Sequence, residues 1–378
     1  LHSAIHTLAS YRADPDIFGE RGIARGVTVK DPTFWDQYDN DTLIYDAIWC
    51  AERREITVLF PKLIGFEKAI RTATWMIDGN VVKPRRLRRF RVYDVLSLPC
   101  DVFKGTFTLT LGDHQIALPV SQADHNRFAG RRVIYTQVKD DSLDWVRDWA
   151  AAHQRNHGAD AVLMSNNNST EFSSEELRAT LASVDGIVVA DVLDVPLRYG
   201  PHQSTADSVG TTKFQQRTLL NLVKTRWFAK AYGVLMSDVD ELVVSHGSES
   251  IFDATQRSWL KYIRFGGEWR YQMGDTETIR HAHHIFRRPK GNDCISKYCI
   301  VPDSVLGRRS WSVHAIESVN RRIFPASQKF HHFHCYGIST SWKKKRSGLV
   351  RENMIRDEKT AKFMEQTFAK QMNEPGKP

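Results

Sequence analysis

Between residues 41 and 122, short apolar or alternating runs are cut by turn pairs. Thr57-Val-Leu-Phe60 is one apolar run, and Ala73-Thr-Trp-Met-Ile77 runs into Asp78-Gly79. Phe107-Thr-Leu-Thr-Leu111 alternates and meets Gly112-Asp113 before Gln115-Ile-Ala-Leu-Pro-Val120. Period-two runs punctuated by Asp-Gly and Gly-Asp predict hairpins, and together a small antiparallel sandwich. Residues 1–40 are polar and irregular. Near residue 130 the texture changes to strands alternating with helices. Val133–Val138 reads as a strand, followed by a helix capped by Ser142 that carries Leu143, Val146 and Ala150 on one face and ends at Gly158. Ala161–Met164 is the next strand. Ser173 and Glu176 form a capping box ahead of a helix bearing Leu177, Leu181 and Val184. Ile187–Val192, a helix over Phe214–Tyr232 and the strand Val234–Met236 continue the alternation. The fold class predicted is α/β: a mixed, mostly parallel sheet with helices on both faces, preceded by a small β-rich domain. The boundaries expected are 1–130 for the accessory domain, 131–350 for the α/β domain and 351–378 for a C-terminal helix or tail. Ligands of such sheets bind outside the carboxyl ends of the strands.

The chain has 378 residues, 41 % hydrophobic and 26 % charged. This composition excludes a disordered, collagenous or disulfide-scaffold protein. No run reaches the roughly 18–20 apolar residues of a membrane span, and no signal-peptide pattern is visible at Leu1. The 53 basic residues exceed the 44 acidic ones, a formal charge of +9, which favours an anionic partner. Basic clusters at 83–91 and 343–346 are candidates for that contact, with a solvated face as the alternative for each. The five cysteines (Cys50, Cys100, Cys294, Cys299 and Cys335) lack C-x-x-C spacing, which points to a reducing compartment and against structural zinc. The overlapping sequons at Asn167 and Asn168 matter only in a secretory setting.

The densest chemistry lies in Leu235-Met-Ser-Asp-Val-Asp-Glu-Leu-Val-Val244. An apolar strand delivers Asp238 and Asp240 at its carboxyl end, where unpaired carboxylates are costly unless a cation accompanies them. Hard divalent ions bridge such carboxylates to phosphate oxygens; a surface turn is the alternative reading. Lys139 and the polar run Ser165–Thr170, with Asn166 and Asn167, end the first two strands of the α/β region on the same edge. Such a loop can hydrogen-bond a base or ribose, and an ordinary Asn-rich turn is the alternative. In Lys329-Phe-His-His-Phe-His-Cys-Tyr336 an extended backbone puts His332 and His334 on one face, a pairing that suits Mn²⁺ better than Mg²⁺. The following basic run, with Lys345 and Arg346, can neutralise a departing diphosphate.

The order of these motifs resembles the Rossmann-like glycosyltransferase A-type (GT-A) fold, and more narrowly the family-2-like and family-92-like transferases. Lys139-Asp-Asp141 stands for the first triplet of that pattern, Asp148-Trp149 for its E-W and His153 for its helix histidine. Gly158-Ala-Asp160 and Asn166–Ser169 follow. Then come Asp238-Val-Asp-Glu-Leu242, the segment from Lys297 to Pro302, Val313-His314 and His332-Phe-His334. The match spans about residues 132–350. Asn166 replaces an Asp, Asp140-Asp141 replaces Asn-Glu, and Leu242 replaces Phe.

The resemblance implies transfer of a sugar from a nucleoside-diphosphate sugar, a UDP-sugar above all, to a glycan or lipid-linked acceptor hydroxyl. It implies a divalent ion, Mn²⁺ ahead of Mg²⁺, on Asp238, Asp240, His332 and His334. Donor contacts would come from Lys139, Asp141, Asn166, Asn167, Asp238, Lys297, Lys345 and Arg346. An inverting reaction needs a carboxylate base, and Glu268 is the candidate, with Asp275 second. The glycines before Glu268 permit close approach, and Trp269 can stack on a sugar. The setting expected is bacterial-type and cytoplasmic, extending to peripheral contact with an anionic membrane, without nucleic acid. The competing reading is a sugar-nucleotide or glycan-binding module of the same fold without turnover.

Overall fold

The parallel half of the expected sheet forms where the apolar runs place it. The computed structural model describes residues 2–202, 205–207, 211–273, 279–317, 319–320, 324–338 and 353–372. Nine strands build the large sheet: β1 (His2–His6), β2 (Arg132–Val138), β3 (Ala161–Asn166), β4 (Val189–Asp194), β5 (Gly233–Met236), β6 (Glu241–Ser245), β7 (Tyr262–Arg270), β8 (Asp293–Ile300) and β9 (Ser327–Cys335). Their order is β1-β4-β3-β2-β5-β8-β7-β9-β6. The run β1 to β5 is parallel throughout. Antiparallel β8 follows on β5 and β7, β7 pairs with β9 in parallel, and β9 pairs with β6 antiparallel. The chain is therefore α/β, with a large mixed sheet.

Among the described residues, four α-helices belong to this unit: α1 (Leu143–His157), α2 (Ser174–Ala182), α3 (Ile251–Arg257) and α4 (Glu358–Met372). Ser142 caps α1 at its start, and Gly158 ends it at φ +66°, a conformation a side chain resists. The Ser173/Glu176 capping box opens α2. All four helices contribute to one core: Trp149 of α1, Leu181 of α2, Phe252 of α3 and Phe368 of α4 share it with Ile134, Val162, Ala190 and Leu235 of the sheet. Helices on both faces were expected, but within this unit the described helices feed a single core. The helix predicted at Phe214–Tyr232 does not join it. It runs Gln215–Arg226 and folds with the other unit.

That second unit holds residues 7–127 and 195–229, while residues 1–6, 128–194 and 230–378 form the first. The division falls near the expected boundary of 130, but two segments change sides. Each has a physical reason. Residues His2–His6 pair in register with Val189–Leu193, and buried Asp191 accepts from the Ala4 N–H at 3.0 Å and contacts His6 Nε2 at 2.9 Å. Arg226, on the helix, reaches the buried carboxylate of Asp46 at 3.1 Å. Asp46 also accepts from Ser121 Oγ at 2.7 Å, and burial pushes its pKa up to about 6 against the guanidinium. A buried acid of this kind needs its cation, so the helix goes where the carboxylate is.

The second unit carries a five-stranded sheet, in the order Ser121–Gln122, Asp46–Cys50, Glu55–Pro61, Tyr93–Pro99 and Arg86–Arg89. A four-stranded sheet runs His114–Ala117, Phe107–Leu111, Thr74–Ile77 and Asn80–Val82. One core joins them, with Ile56, Val58, Leu96 and Leu98 from the first sheet and Trp75, Phe107 and Leu109 from the second. The Asp78-Gly79 turn takes φ +50° and +80°, the left-handed pair that a tight hairpin needs. The basic stretch from residue 83 becomes an edge strand with Arg86, Arg88 and Arg89 exposed, charges that keep an open sheet edge from pairing elsewhere.

In the first unit the free edge of β6 is closed by two histidines of α1. His153 Nδ1–H donates to Trp149 O at 2.9 Å, leaving Nε2 to accept the Val243 N–H at 3.3 Å. His157 Nε2–H donates to Val243 O at 2.9 Å, and its Nδ1 accepts the Ile251 N–H at 3.2 Å. Both patterns require a neutral ring. Burial accordingly pushes the His153 pKa down to about 3 and that of His157 to about 4. Below about pH 6.5 the unfolded chain takes up protons these rings refuse, so stability falls with pH by up to about 1.4 kcal/mol per pH unit for each ring. Urea melts at pH 7 and pH 5 are expected to show this loss, and His157→Gln to show a shallower one. A slope unchanged in that variant would rule out its titration as a cause.

Candidate functional site

The site begins where β5 ends. After Met236 the chain turns back: the Glu241 N–H donates to Asp238 O at 2.9 Å, and the Asp238 N–H donates to Glu241 Oε2 at 2.9 Å. This tight reversal gathers the carboxylates of Asp238, Asp240 and Glu241 at the sheet edge where the parallel strands terminate. His281 Nε2–H donates to Val239 O at 2.8 Å and so fixes the residue between the two aspartates. His281 is itself seated beside Asp148, which Arg280 grips through both oxygens at 2.7 and 2.6 Å. Burial pushes the Asp148 pKa upward, but the nearby His281 ring and the bonds from Arg280 outweigh this and hold it at about 2.

Lys297, on β8, supplies the balancing charge. Its Nζ is 2.8 Å from Asp238 Oδ2 and 3.1 Å from Glu241 Oε2, with the side chain 2 % exposed. Burial disfavours the ammonium, yet the two carboxylates prevail and raise its pKa above the usual lysine range. Glu241 is held up at about 7 by burial, with Lys297 pulling the other way. His334 Nε2 and Asp240 Oδ2 are 2.9 Å apart. Burial opposes charge on both, but each stabilises the other: the His334 pKa rises to about 10 and that of Asp240 falls.

Strand register brings the histidines in. Glu241 stands opposite His334 and Val243 opposite His332 on the β6–β9 ladder, while Gly267 and Trp269 of β7 stand beside His332 and His334. The Trp269 ring stacks on His334 with centroids 3.8 Å apart, so here its face covers an imidazole. A β-bulge over Phe265–Gly267 re-aims β7. A Cβ on Gly267 would lie 2.2 Å from His332 Nε2 and 2.5 Å from Cys294 Sγ. The close approach that the glycines permit is thus made by His332 and Cys294.

Glu268 is not brought to this cluster. Alternation along β7 turns it to the face opposite Trp269 and His334. There it is 2.7 Å from the Arg270 guanidinium, which lies over the Phe333 ring, and it lines a cavity of about 600 Å³ with Arg287, Asn292, Arg356 and Asp357. Asp275, Lys345 and Arg346 lie outside the described residues. Lys139, Asp141, Asn166 and Asn167 stand together at the ends of β2 and β3. Asn166 Nδ2 donates to Ser174 Oγ at 2.9 Å, and its Oδ1 accepts the Ser169 N–H at 3.2 Å. The Lys139 N–H reaches Asp141 Oδ2 at 3.3 Å, and the Asn167 N–H donates to Val138 O at 2.9 Å. The Asn167–Val138 bond and one from the Asp140 N–H to Ser169 Oγ at 3.0 Å tie the two loops to each other.

Sequence reasoning left Glu241, Cys294, Gly267 and His281 off the site. Glu241 adjoins the Asp-x-Asp signal and could have been drawn from it. Cys294 and His281 carry no local signal: the sheet order brings Cys294 near, and His281 arrives from the short 3-10 turn His281–His283. Comparison with protein-family models and with curated proteins finds no match. Replacing Lys297 by Met strands two carboxylates and is expected to lower stability by roughly 3–5 kcal/mol. Lys297→Met/Glu241→Gln should recover part of the loss in urea denaturation, and equal losses in both variants would refute the pairing.

Proposed function

We propose that this chain is a metal-dependent glycosyltransferase of GT-A type, moving a sugar from a nucleoside-diphosphate sugar, a UDP-sugar above all, to a glycan or lipid-linked hydroxyl. The observation that carries this reading is the gathering of Asp238, Asp240 and Glu241 at the carboxyl end of β5, within reach of an imidazole. Ligand atoms of Asp240, Glu241 and His334 lie within 4.8 Å of one another. Oxygen donors beside imidazole fit Mn²⁺ better than Mg²⁺. Asp238, one-third exposed, and Asp240 would hold the ion, which when bound supplies Lewis-acid neutralisation of the leaving diphosphate. Lys297 orients Asp238, and His281 fixes the loop between the aspartates. Lys345 and Arg346 would add positive charge to the diphosphate. Lys139, Asp141, Asn166 and Asn167 would border the nucleotide on the neighbouring strand ends.

A lipid-linked acceptor would bring the protein to the cytoplasmic face of a membrane, and the exposed arginine row 86–89 would suit anionic headgroups. No described helix is long and apolar enough to cross one. The placement of Glu268 favours a second reading, a donor-binding module without turnover. Asp275 is the remaining candidate base.

A thermal-shift panel of nucleotide sugars with and without Mn²⁺ tests the proposal. At about a hundredfold excess over Kd the true donor should stabilise by roughly 2.7 kcal/mol. Asp240→Asn is expected to abolish the Mn²⁺-dependent part. Absence of any Mn²⁺-dependent shift would defeat both readings, whereas a shift without hydrolysis or transfer would select the binding module. Glu268→Gln is expected to leave turnover within about threefold, and a loss beyond about a hundredfold with donor binding retained would restore it as the base.

A further inference from the structure

Cys294 belongs to no part of the reaction proposed above, yet it points into the histidine pair. Its Sγ is 3.4 Å from His332 Nε2. That nitrogen is 3.4 Å from Glu241 Oε1, and the same oxygen is 3.7 Å from His334 Nδ1. Ligand atoms of Cys294, His332 and His334 all lie within 4.8 Å of one another. A tetrahedral zinc ion with ligands at about 2.0–2.3 Å sets its donors about 3.3–3.7 Å apart. The measured edges match that spacing.

We propose that Cys294, His332 and His334 bind a thiophilic divalent ion of the zinc class, with Glu241 Oε1 as fourth donor. The remaining valences of these groups are already arranged for it. His334 faces Asp240 through Nε2, the carboxylate–histidine contact that turns the other ring nitrogen toward a metal. Lys297 and the Asp238 N–H occupy Glu241 Oε2, leaving Oε1 for the ion. His332 is fully buried with its Nδ1 lacking a hydrogen-bond partner, so its polar contacts all run through Nε2. Gly267 keeps the space open, since any β-carbon there would collide with both His332 and Cys294. Binding releases the thiol proton of Cys294 and the Nδ1 proton of His334 to solvent, and four protein ligands make the centre a closed, structural one. Because this centre takes Glu241 and His334, the diphosphate ion of the transferase reading would rest on Asp238 and Asp240 alone.

The test uses the metal-depleted full chain titrated with Co²⁺. A thiolate-to-cobalt charge-transfer band is expected to saturate at one equivalent and to vanish on adding Zn²⁺. Cys294→Ser should lose the band, with zinc affinity down on the order of 100-fold or more, while far-UV circular dichroism stays that of the parent. Asp238→Asn should keep it, which separates this centre from the diphosphate site. No band in the parent, or an undiminished one in Cys294→Ser, would overturn the proposal. If that variant does not fold, the parent decides: Zn²⁺ should slow alkylation of Cys294 by about tenfold or more, and an unchanged rate would refute it.

Discussion

A lysine ammonium buried between two carboxylates is the constraint on which the site depends. Asp238 and Glu241 would repel each other at the end of an apolar strand, and Lys297 reconciles them from the neighbouring antiparallel strand. An isolated charge in such surroundings costs several kcal/mol, so the three groups stand or fall together. The reversal after β5 uses the same atoms, because Glu241 also receives the Asp238 N–H. Electrostatics and backbone geometry therefore specify one conformation of the Asp-Val-Asp-Glu turn.

Around that turn the histidines divide into two chemical kinds. His153, His157 and His281 meet backbone groups and behave as structural pins for β6 and for Val239. His332 and His334 face side chains: a thiol and carboxylates. The difference arises from strand alternation on β9, which sends positions 332 and 334 to the carboxylate face and positions 331 and 333 away from it. The same rule, applied to β7, carries Trp269 onto His334 and Glu268 away from it.

Much of the architecture was legible in the chain. The caps at Ser142 and Ser173, the stop at Gly158 and the Asp78-Gly79 turn are local signals, and each element begins or ends where they stand. Asp238 and Asp240 were visible because charge at the end of an apolar run is anomalous over a few residues. What escaped was non-local. A cysteine rule based on C-x-x-C spacing is blind to Cys294, whose neighbours His332 and His334 arrive from a strand about forty residues on. Glu268 was chosen for the glycines beside it, yet it is the facing strand that uses their space. The helix at 215–226 looked like a crossover helix of the large sheet because its periodicity says nothing about which buried acid its terminal arginine will meet.

The ownership of that helix bears on how the gene can be divided. Because residues 1–6 complete the nine-stranded sheet and 195–229 belong with the sandwich, the polypeptide crosses from one unit to the other four times. A fragment starting at 131 would lack the outermost strand while carrying an orphaned amphipathic helix. A fragment ending at 130 would leave the Asp46 carboxylate without its guanidinium. Neither unit is encoded by one uninterrupted stretch of codons, so insertion, deletion or exchange of either as a cassette would have to respect all four junctions at once.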